Sequence, residues 1–278
     1  MNRSRATVAV DVGNTAVKLA VELSPHTAGD HAACRQRNFE SLPSRSFSLD
    51  HRQWPDRLVQ WIKTEVQVED AIWRISSVQR QAVERLRQQV AQSFPDAHVD
   101  QITRDHLPMP IDVDVPETVG IDRLLGAFAA INRFDGPVII VDAGSAVTVD
   151  YVDDRGHFAG GAILPGLNLQ THALATGTDA LPPIDWTRNP PLRVPAKNTT
   201  EAIQLGVLTS VTSAIDRLID WYNRHPNRGQ NGEAIVVLCG GDAAAISARV
   251  ERQHVVHHGL VCQGIFDLSL PPRREMLR

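Results

Sequence analysis

The sequence of 278 residues is 42% hydrophobic and has a formal net charge of -4. A chain of this length can bury a large core in one or two domains, and its scattered Lys and Arg residues do not indicate nucleic-acid binding. It contains no apolar run of about 18 residues for a membrane span, and its three cysteines lack disulfide or metal-ligand spacing. We therefore predict a cytoplasmic protein that acts on a small molecule.

The chain opens with a predicted β-hairpin. Alternating valines over residues 8–12 indicate a half-buried strand, and the pattern resumes over residues 17–21. Gly13-Asn14 between them is typical of a tight turn, because both residues tolerate positive φ. The turn can present backbone N–H groups to a phosphate, while Asp11 can hold a metal ion through water. An ordinary hairpin with an exposed Asp is the alternative.

The residues after the hairpin predict a mixed α/β domain of about 100 residues. Residues 24–36 are rich in Pro, His, Gly and charge, which indicates a surface loop. The elements predicted next are a short strand within 37–49, a helix over 54–66, a strand over 71–78, a helix over 83–94 and a strand over 99–102.

A proline-rich stretch over residues 106–116 follows and is predicted to be an extended crossing. It leads to an apolar helix over residues 124–134, so Asp122 and Arg123 should lie at or near a helix N-terminus. A capping or first-turn acid is one explanation of Asp122. A general base at a domain junction is the other.

The second half of the chain repeats the opening motif. Residues 138–141 predict a buried strand that ends in Asp142-Ala-Gly144-Ser145, and a second strand follows to residue 150. Aligned on the acid, Asp142-x-Gly144 matches Asp11-x-Gly13. This internal repeat predicts two similar α/β domains that clamp a nucleotide with their turns. A chance recurrence is the alternative.

The remaining elements are predicted from glycines, prolines and apolar spacing. They are a glycine-rich stretch over 160–166, a helix over 168–176, a loop over 178–198, a long helix from 198, a polar turn over 223–233 and a strand over 235–238. Asn198 with Glu201 also fits an N-cap pattern. The diglycine at 240–241 either lies against an adenosine or makes a tight turn.

Together these motifs resemble those of the type III pantothenate kinase family, in the superfamily of actin, sugar kinases and heat-shock ATPases. The resemblance extends over nearly the whole chain and is carried by Asp11–Lys18, Pro116–Arg123, Asp142–Asp150, Gly160–Gly166, Asn198-Thr199 and Gly240-Gly241. It implies an α/β fold with two ribonuclease-H-like (actin-like ATPase) domains, 1–122 and 123–278, with mixed sheets flanked by helices and a cleft between them. It also implies a homodimer that transfers the ATP γ-phosphate to pantothenate, the first step towards coenzyme A.

The resemblance implies a role for each matched residue. Asp122 would be the general base, and Asp11 would lie near Mg²⁺. Asp142 would bind a monovalent cation, K⁺ or NH₄⁺. Pantothenate would contact Gly120, Ile121, Asp122, Arg123 and Thr199. ATP would contact Asp11, Val12, Gly13, Asn14, Thr15, Ala16, Val17, Lys18 and Ser145.

The sequence departs from the family pattern at three positions. Ser145 replaces a Thr and keeps the hydroxyl, and Ala196 replaces a Gly before Asn198. Val113 replaces a Tyr that generally contacts pantothenate, which puts substrate affinity in question. Two other functions stay open. One is a nucleotide-binding regulator, since proteins of this family have been described as accessory factors for gene activation. The other is a kinase of a different small hydroxy compound.

Overall fold

The computed structural model describes residues 6–23, 39–186, 192–224 and 232–268, which form two five-stranded mixed sheets flanked by helices. The strands are β1 (Ala6–Val12), β2 (Ala16–Glu22), β3 (Ser44–Ser48), β4 (Ala71–Ser77), β5 (His98–Gln101), β6 (Val138–Ala143), β7 (Ala146–Val152), β8 (Phe158–Pro165), β9 (Ile235–Cys239) and β10 (Val255–Val256). The α-helices are α1 (Trp54–Trp61), α2 (Arg80–Ser93), α3 (Ile121–Ile131), α4 (Leu167–Gly177), α5 (Thr199–Asn223), α6 (Ala243–Ser247) and α7 (Leu260–Asp267).

The two sheets have the same topology. In the first, with strand order β3-β2-β1-β4-β5, β1 pairs antiparallel with β2 and parallel with β4. In the second, with strand order β10-β9-β6-β7-β8, β6 pairs antiparallel with β7 and parallel with β9. The outer strands continue each pattern, since β3 and β8 are antiparallel to their neighbours while β5 and β10 are parallel to theirs. The predicted mixed α/β fold and its internal repeat are confirmed.

Strand β1 is buried along its whole length, although its alternating sequence predicted a half-buried strand. Val8 and Val10 face a core to which α1 contributes Leu58 and α2 contributes Leu86. The smaller residues of β1 are buried as well, because α7 packs against this strand. The sequence did not predict α7, so the burial of the second face of β1 was not expected.

The core of the second sheet is built largely on the long helix α5. Val207, Val211 and Ile215 of this helix belong to one buried cluster with Val147 and Val149 of β7. By length and composition alone, α5 could cross a membrane, but eight of its side chains are buried in the protein. Burial to this extent is typical of a helix in the core of a protein.

The chain divides into two compact units, and this division differs from the predicted boundary between residues 122 and 123. The first unit contains the described parts of 1–108, 119–133 and 259–278, and the second those of 109–118 and 134–258. Helix α3 belongs to the first unit because it packs on α7, where a Cβ atom on Gly264 would lie 2.2 Å from the carbonyl oxygen of Leu125.

Two further contacts explain the division. The side chain of Arg74 on β4 donates hydrogen bonds to the carbonyl oxygens of Ile265 (3.5 Å) and Leu268 (3.3 Å), which fixes α7 to the first sheet. The segment 109–118 belongs to the second unit because it pairs with β8, where the Asp112 amide donates to the Phe158 carbonyl at 2.8 Å.

Most predicted helices and strands are present, with boundaries that shift by a few residues. The helix predicted over 54–66 is α1 followed by a π-helical turn, Ile62–Val66. Helix α3 begins three residues before the predicted start at 124, which places Asp122 inside it. The predicted surface loop over 24–36 lies outside the described residues, as do parts of the segments 178–198 and 223–233.

Candidate active site

The first candidate phosphate-binding turn connects β1 to β2. Its three residues are closed by a 3.0 Å hydrogen bond from the Gly13 amide to the Ala16 carbonyl, and Asn14 and Thr15 are exposed. The Leu49 amide donates to the Thr15 carbonyl at 2.9 Å, and the side chain of Gln79 donates to the Asn14 carbonyl at 3.3 Å. These contacts hold the turn in one conformation before any ligand binds, which lowers the ordering cost of binding.

Asp11 lies at the end of β1 beside this turn and is only 6% exposed, so the alternative of an exposed hairpin Asp is wrong. Its register partners are Ser76 on β4 and Lys18 on β2, and the Ser76 hydroxyl donates to Asp11 Oδ1 at 3.4 Å. The charges of Asp11 and Lys18 both act on the pKa of the buried Cys262 thiol. Burial raises its pKa most, the Asp11 carboxylate raises it further and the Lys18 ammonium lowers it.

The second candidate turn connects β6 to β7 and is one residue shorter, with only Gly144 and Ser145 between the strands. The Gly144 amide donates to the Ala146 carbonyl at 3.0 Å. Gly166, just before α4, donates its amide to the Ser145 carbonyl at 3.1 Å, and a Cβ atom on Gly166 would lie 2.2 Å from the Gly144 carbonyl oxygen. Only glycine fits at residue 166.

The diglycine after β9 completes this cluster, and the tight-turn reading of the motif is confirmed. Gly240 has φ +96°, and a Cβ atom there would lie 2.4 Å from Asp142 Oδ1 and 2.2 Å from the Ala143 carbonyl oxygen. The Asp242 amide donates to that same carbonyl at 2.9 Å. The second unit thus brings together an acid, a hydroxyl and close-packed glycine backbone, which suits a polyphosphate ligand.

Asp122 is the second residue of α3, after the N-cap residue Gly120. One carboxylate oxygen, Oδ1, accepts the Arg123 amide at 2.9 Å, so the first-turn explanation of this acid is confirmed. No described residue donates a hydrogen bond to the second carboxylate oxygen, Oδ2. Asp122 can therefore occupy its helix position and still accept a proton.

Thr199 is the first residue of α5 and is exposed. The side chain of Asn198 accepts the Glu201 amide at 2.9 Å, which confirms the N-cap pattern. The carboxylate of Glu201 is held by the guanidinium of Arg193 at 2.6 Å, and this hydrogen bond lowers the pKa of Glu201. Helix capping therefore accounts for Asn198 and Glu201, whereas the contact of Thr199 with pantothenate stays a prediction.

Comparison with known proteins identifies the family. The family model for type III pantothenate kinases matches residues 7–221. A type III pantothenate kinase of Rhodopirellula baltica is 39% identical over 280 residues, which cover 95% of this chain and 98% of that protein. The chain belongs to the type III pantothenate kinase family.

Two further comparisons concern a second curated relative and a solved structure. A type III pantothenate kinase of Mycobacterium avium is 34% identical over 176 residues, which cover 61% of this chain and 63% of that protein. A crystal structure from Campylobacter jejuni, assigned to the Baf family of transcriptional activators, aligns with a TM-score of 0.54 over 93% of this chain and 94% of that one. At 16% identity it shows a common fold and nothing about activity.

Val113, where the type III pantothenate kinase pattern has Tyr, is half-buried in the second unit. Its Cγ1 would be 3.5 Å from a Cβ atom on Gly160, a residue with φ +93°. Gly160 in turn lines a cavity of about 620 Å³ together with Asp112, Tyr151, Asp153, Arg155, Ala159, Gly161 and Tyr222. Small-molecule pockets have this size.

Two features of the second turn were missed by sequence reasoning. One is Thr148, which lies opposite Asp142 in the strand register. When the two hairpins are aligned on Asp11 and Asp142, Val149 falls at the position of Lys18. Because the second turn is one residue shorter, Thr148 and not Val149 lies opposite the acid. The other is the packing of Gly240 against Asp142, which joins residues far apart in the sequence.

Proposed function

We propose that this protein phosphorylates pantothenate with ATP and releases 4'-phosphopantothenate and ADP. The observation that carries the proposal is the alignment with the Rhodopirellula baltica type III pantothenate kinase over nearly the full length of both chains. The paired acid-and-glycine turns support it, because phosphoryl transfer depends on positioning and on charge stabilisation.

In the proposed reaction, a hydroxyl oxygen of pantothenate forms a bond to the γ-phosphorus of ATP. The bond from that phosphorus to the bridging oxygen breaks, and ADP leaves with the electron pair. Asp122 accepts the proton of the attacking hydroxyl, for which its second carboxylate oxygen is suited. ATP is held by the first turn, residues 11–18, and by Ser145. General-base catalysis of this kind contributes roughly 10²–10⁴-fold to the rate.

The residues fit the two cations that the family resemblance implies. Asp11 is a buried carboxylate with a serine hydroxyl beside it, and oxygen ligands of this kind suit Mg²⁺. Asp142 is next to a glycine whose missing side chain leaves backbone close to the carboxylate, which suits a larger monovalent cation. When bound, such cations neutralise the negative charge of the phosphates.

We also propose that the protein is a homodimer in the cytoplasm, where ATP is available. Large apolar side chains on the second unit support self-association, since Ile163, Leu169 and Trp221 are 63%, 49% and 53% exposed. Where exposed apolar side chains form one contiguous patch, the patch is typical of an interaction surface. Sedimentation equilibrium should give twice the chain mass, and a monomer at micromolar concentration contradicts this part of the proposal.

The proposed reaction is tested by incubating the purified protein with ATP, Mg²⁺ and K⁺ and a panel of small alcohols that includes pantothenate. We expect ADP release only with pantothenate, and a product heavier by one phosphoryl group in mass spectrometry. ADP release with another alcohol alone supports a kinase of a different substrate, for which the replacement of the family's Tyr by Val113 provides a reason. ATP binding without any transfer supports a regulator.

A further inference from the structure

A cavity of about 230 Å³ lies in the first unit, where the end of β3 meets the start of α1. Six of its lining side chains contain an N–H or O–H group, and these are Arg45, Ser46, Ser48, His51, Trp54 and Arg57. The lining includes no residue that is assigned to the proposed reaction. The volume is below the range of about 300–1,000 Å³ that is typical of drug-sized ligands, so a small molecule or ion fits it.

The wall of this cavity contains an excess of hydrogen-bond donors, and no lining residue is acidic. Guanidinium and indole groups only donate, whereas a hydroxyl or a neutral imidazole donates and accepts. Two of the donors, Arg45 and Arg57, are positively charged as well. Arg45 is paired with Glu65 at 2.8 Å, but the side chain of Arg57 has no hydrogen bond or ion pair within the described part of the chain. A wall of this composition suits an anion.

The indole of Trp54 is an independent observation. Trp54 is only 1% exposed, and its Nε1 atom has no hydrogen-bond partner among the described residues. The face of the ring is covered by a cation, because the guanidinium carbon of Arg85 lies 5.6 Å from the ring centroid. Buried donors in native proteins nearly always have a partner. We therefore expect an acceptor from outside the chain beside Trp54.

The N-terminus of α1 adds positive potential to the cavity. The side chain of its N-cap residue, Gln53, makes no capping hydrogen bond, so it does not satisfy the amides of the first turn. A helix N-terminus of this kind attracts anions. Two carboxylates are near in sequence but do not line the cavity. Asp50 accepts the Ser48 hydroxyl at 3.3 Å, and Asp56 in the first turn of α1 is exposed.

We propose that this cavity binds a phosphoryl group, either as inorganic phosphate or as part of a small phosphate ester. A phosphate accepts hydrogen bonds on several sides, whereas the two oxygens of a carboxylate lie in one plane. The donors here come from β3, from the loop at His51 and from α1 itself. Arginine is a preferred partner of phosphate, because its guanidinium donates two parallel hydrogen bonds. The inference does not rest on the proposed function.

The position of the cavity suits an effector site. Ser48 of the wall is in register with Ala16 of β2, and the Leu49 amide donates to the carbonyl of Thr15 in the first candidate phosphate-binding turn. A phosphate that orders the end of β3 therefore acts on this turn through contacts already present. Two distinct sites that are joined in this way are coupled, so each ligand changes the affinity for the other.

The test is isothermal titration calorimetry of the full chain with orthophosphate, glycerol 3-phosphate and acetate at constant ionic strength. Arg57→Gln should weaken phosphate binding about tenfold or more, the usual effect of a lost hydrogen bond between charged groups. Trp54→Phe keeps a ring but removes the N–H, and should weaken binding about three- to tenfold. Binding of orthophosphate without the ester identifies the free anion as the ligand, whereas binding of the ester identifies a phosphate ester.

The matched control is Arg87→Gln, which removes the same charge from the same unit. Arg87 of α2 donates to the side chain of Gln101 on β5 at 3.2 Å, and β5 is at the opposite edge of the sheet from β3. Its phosphate affinity should equal that of the natural protein. The Tm of each variant is measured as well. Because Arg57 is exposed, its replacement should leave the fold intact even if Trp54→Phe destabilises it.

A non-hydrolysable ATP analogue separates this cavity from the nucleotide site. If the sites are distinct, the apparent Kd for phosphate reaches a plateau as the analogue is added, whereas at a shared site it rises without limit. A rise without limit overturns the inference. So does unchanged affinity in Arg57→Gln or Trp54→Phe, acetate binding as tight as that of the phosphates, or no phosphate binding by the natural protein. The proposed function is judged separately, because phosphate binding at this cavity without phosphopantothenate formation contradicts the function and supports the site.

Discussion

Replacing Gly240 by alanine tests whether the cluster around Asp142 is built as described. The new Cβ atom would lie 2.2 Å from the Ala143 carbonyl oxygen and 2.4 Å from Asp142 Oδ1, and both distances are too short for van der Waals contact. Residue 240 also has φ +96°, which an L-residue with a side chain rarely adopts. The turn must therefore move, and the hydrogen bond from the Asp242 amide to Ala143 must move with it.

The expected loss of stability is the sum of the backbone strain at residue 240 and the steric overlap of the new Cβ atom. A left-handed conformation costs a non-glycine residue roughly 1–2 kcal/mol, and overpacking costs typically about 1–3 kcal/mol. Gly240→Ala should therefore destabilise the protein by about 2–5 kcal/mol, which lowers Tm by roughly 4–20 °C for a chain of this size. Because Asp142 is displaced as well, KM for ATP should rise.

The adjacent glycine provides the control. A Cβ atom on Gly241 would meet no atom within 4 Å, so Gly241→Ala should have a Tm within a few degrees of the natural protein. Both variants are compared by differential scanning fluorimetry and by steady-state kinetics with ATP varied. Equal Tm and equal KM for the two variants would refute the steric argument and the packing of Gly240 on Asp142.

Three further predictions concern the reaction. Asp122→Asn should lower kcat by roughly 10²–10⁴-fold with little change in ATP binding, and a nearly normal kcat would leave Asp122 with its helix role alone. Replacing K⁺ by Na⁺ at constant ionic strength should sharply lower the rate of phosphopantothenate formation, whereas equal rates would contradict the assignment of Asp142. Val113→Tyr should lower KM for pantothenate several-fold and leave KM for ATP unchanged, because it restores a hydroxyl that contributes about 0.5–1.5 kcal/mol. A raised KM would mean that the wall beside Gly160 has repacked around valine.

Local patterns allowed much of the fold to be predicted from the sequence. Both hairpins, the turns at Gly13 and Gly144, and the N-cap at Asn198 depend on residues within a few positions of one another, and the structure contains all of them. The burial of Asp11 could not be predicted in the same way. It depends on the position of β1 at the centre of its sheet and on a helix from the other end of the chain.

The candidate site was predicted less completely for a related reason. The acids were found because strand, acid and glycine occur together twice in the sequence. Thr148 was missed because a turn shorter by one residue changes which side chain faces Asp142, and turn length is a property of the backbone. For Gly240 the sequence left two alternatives, contact with an adenosine or a tight turn. Its packing against Asp142 was not predicted, because it joins strands that are separated by about a hundred residues in sequence.

The position of α7 has a consequence for how the protein is synthesised. This helix covers β1, and Gly264 packs on α3, so the first unit contains both the earliest and the latest described parts of the chain. A ribosome releases residues in order, and domains generally fold as they emerge. The N-terminal sheet therefore stays partly uncovered until residues 260–267 have left the exit tunnel. The whole of the second unit, residues 109–118 and 134–258, is synthesised before α7. The second unit can therefore complete its core before the first unit does.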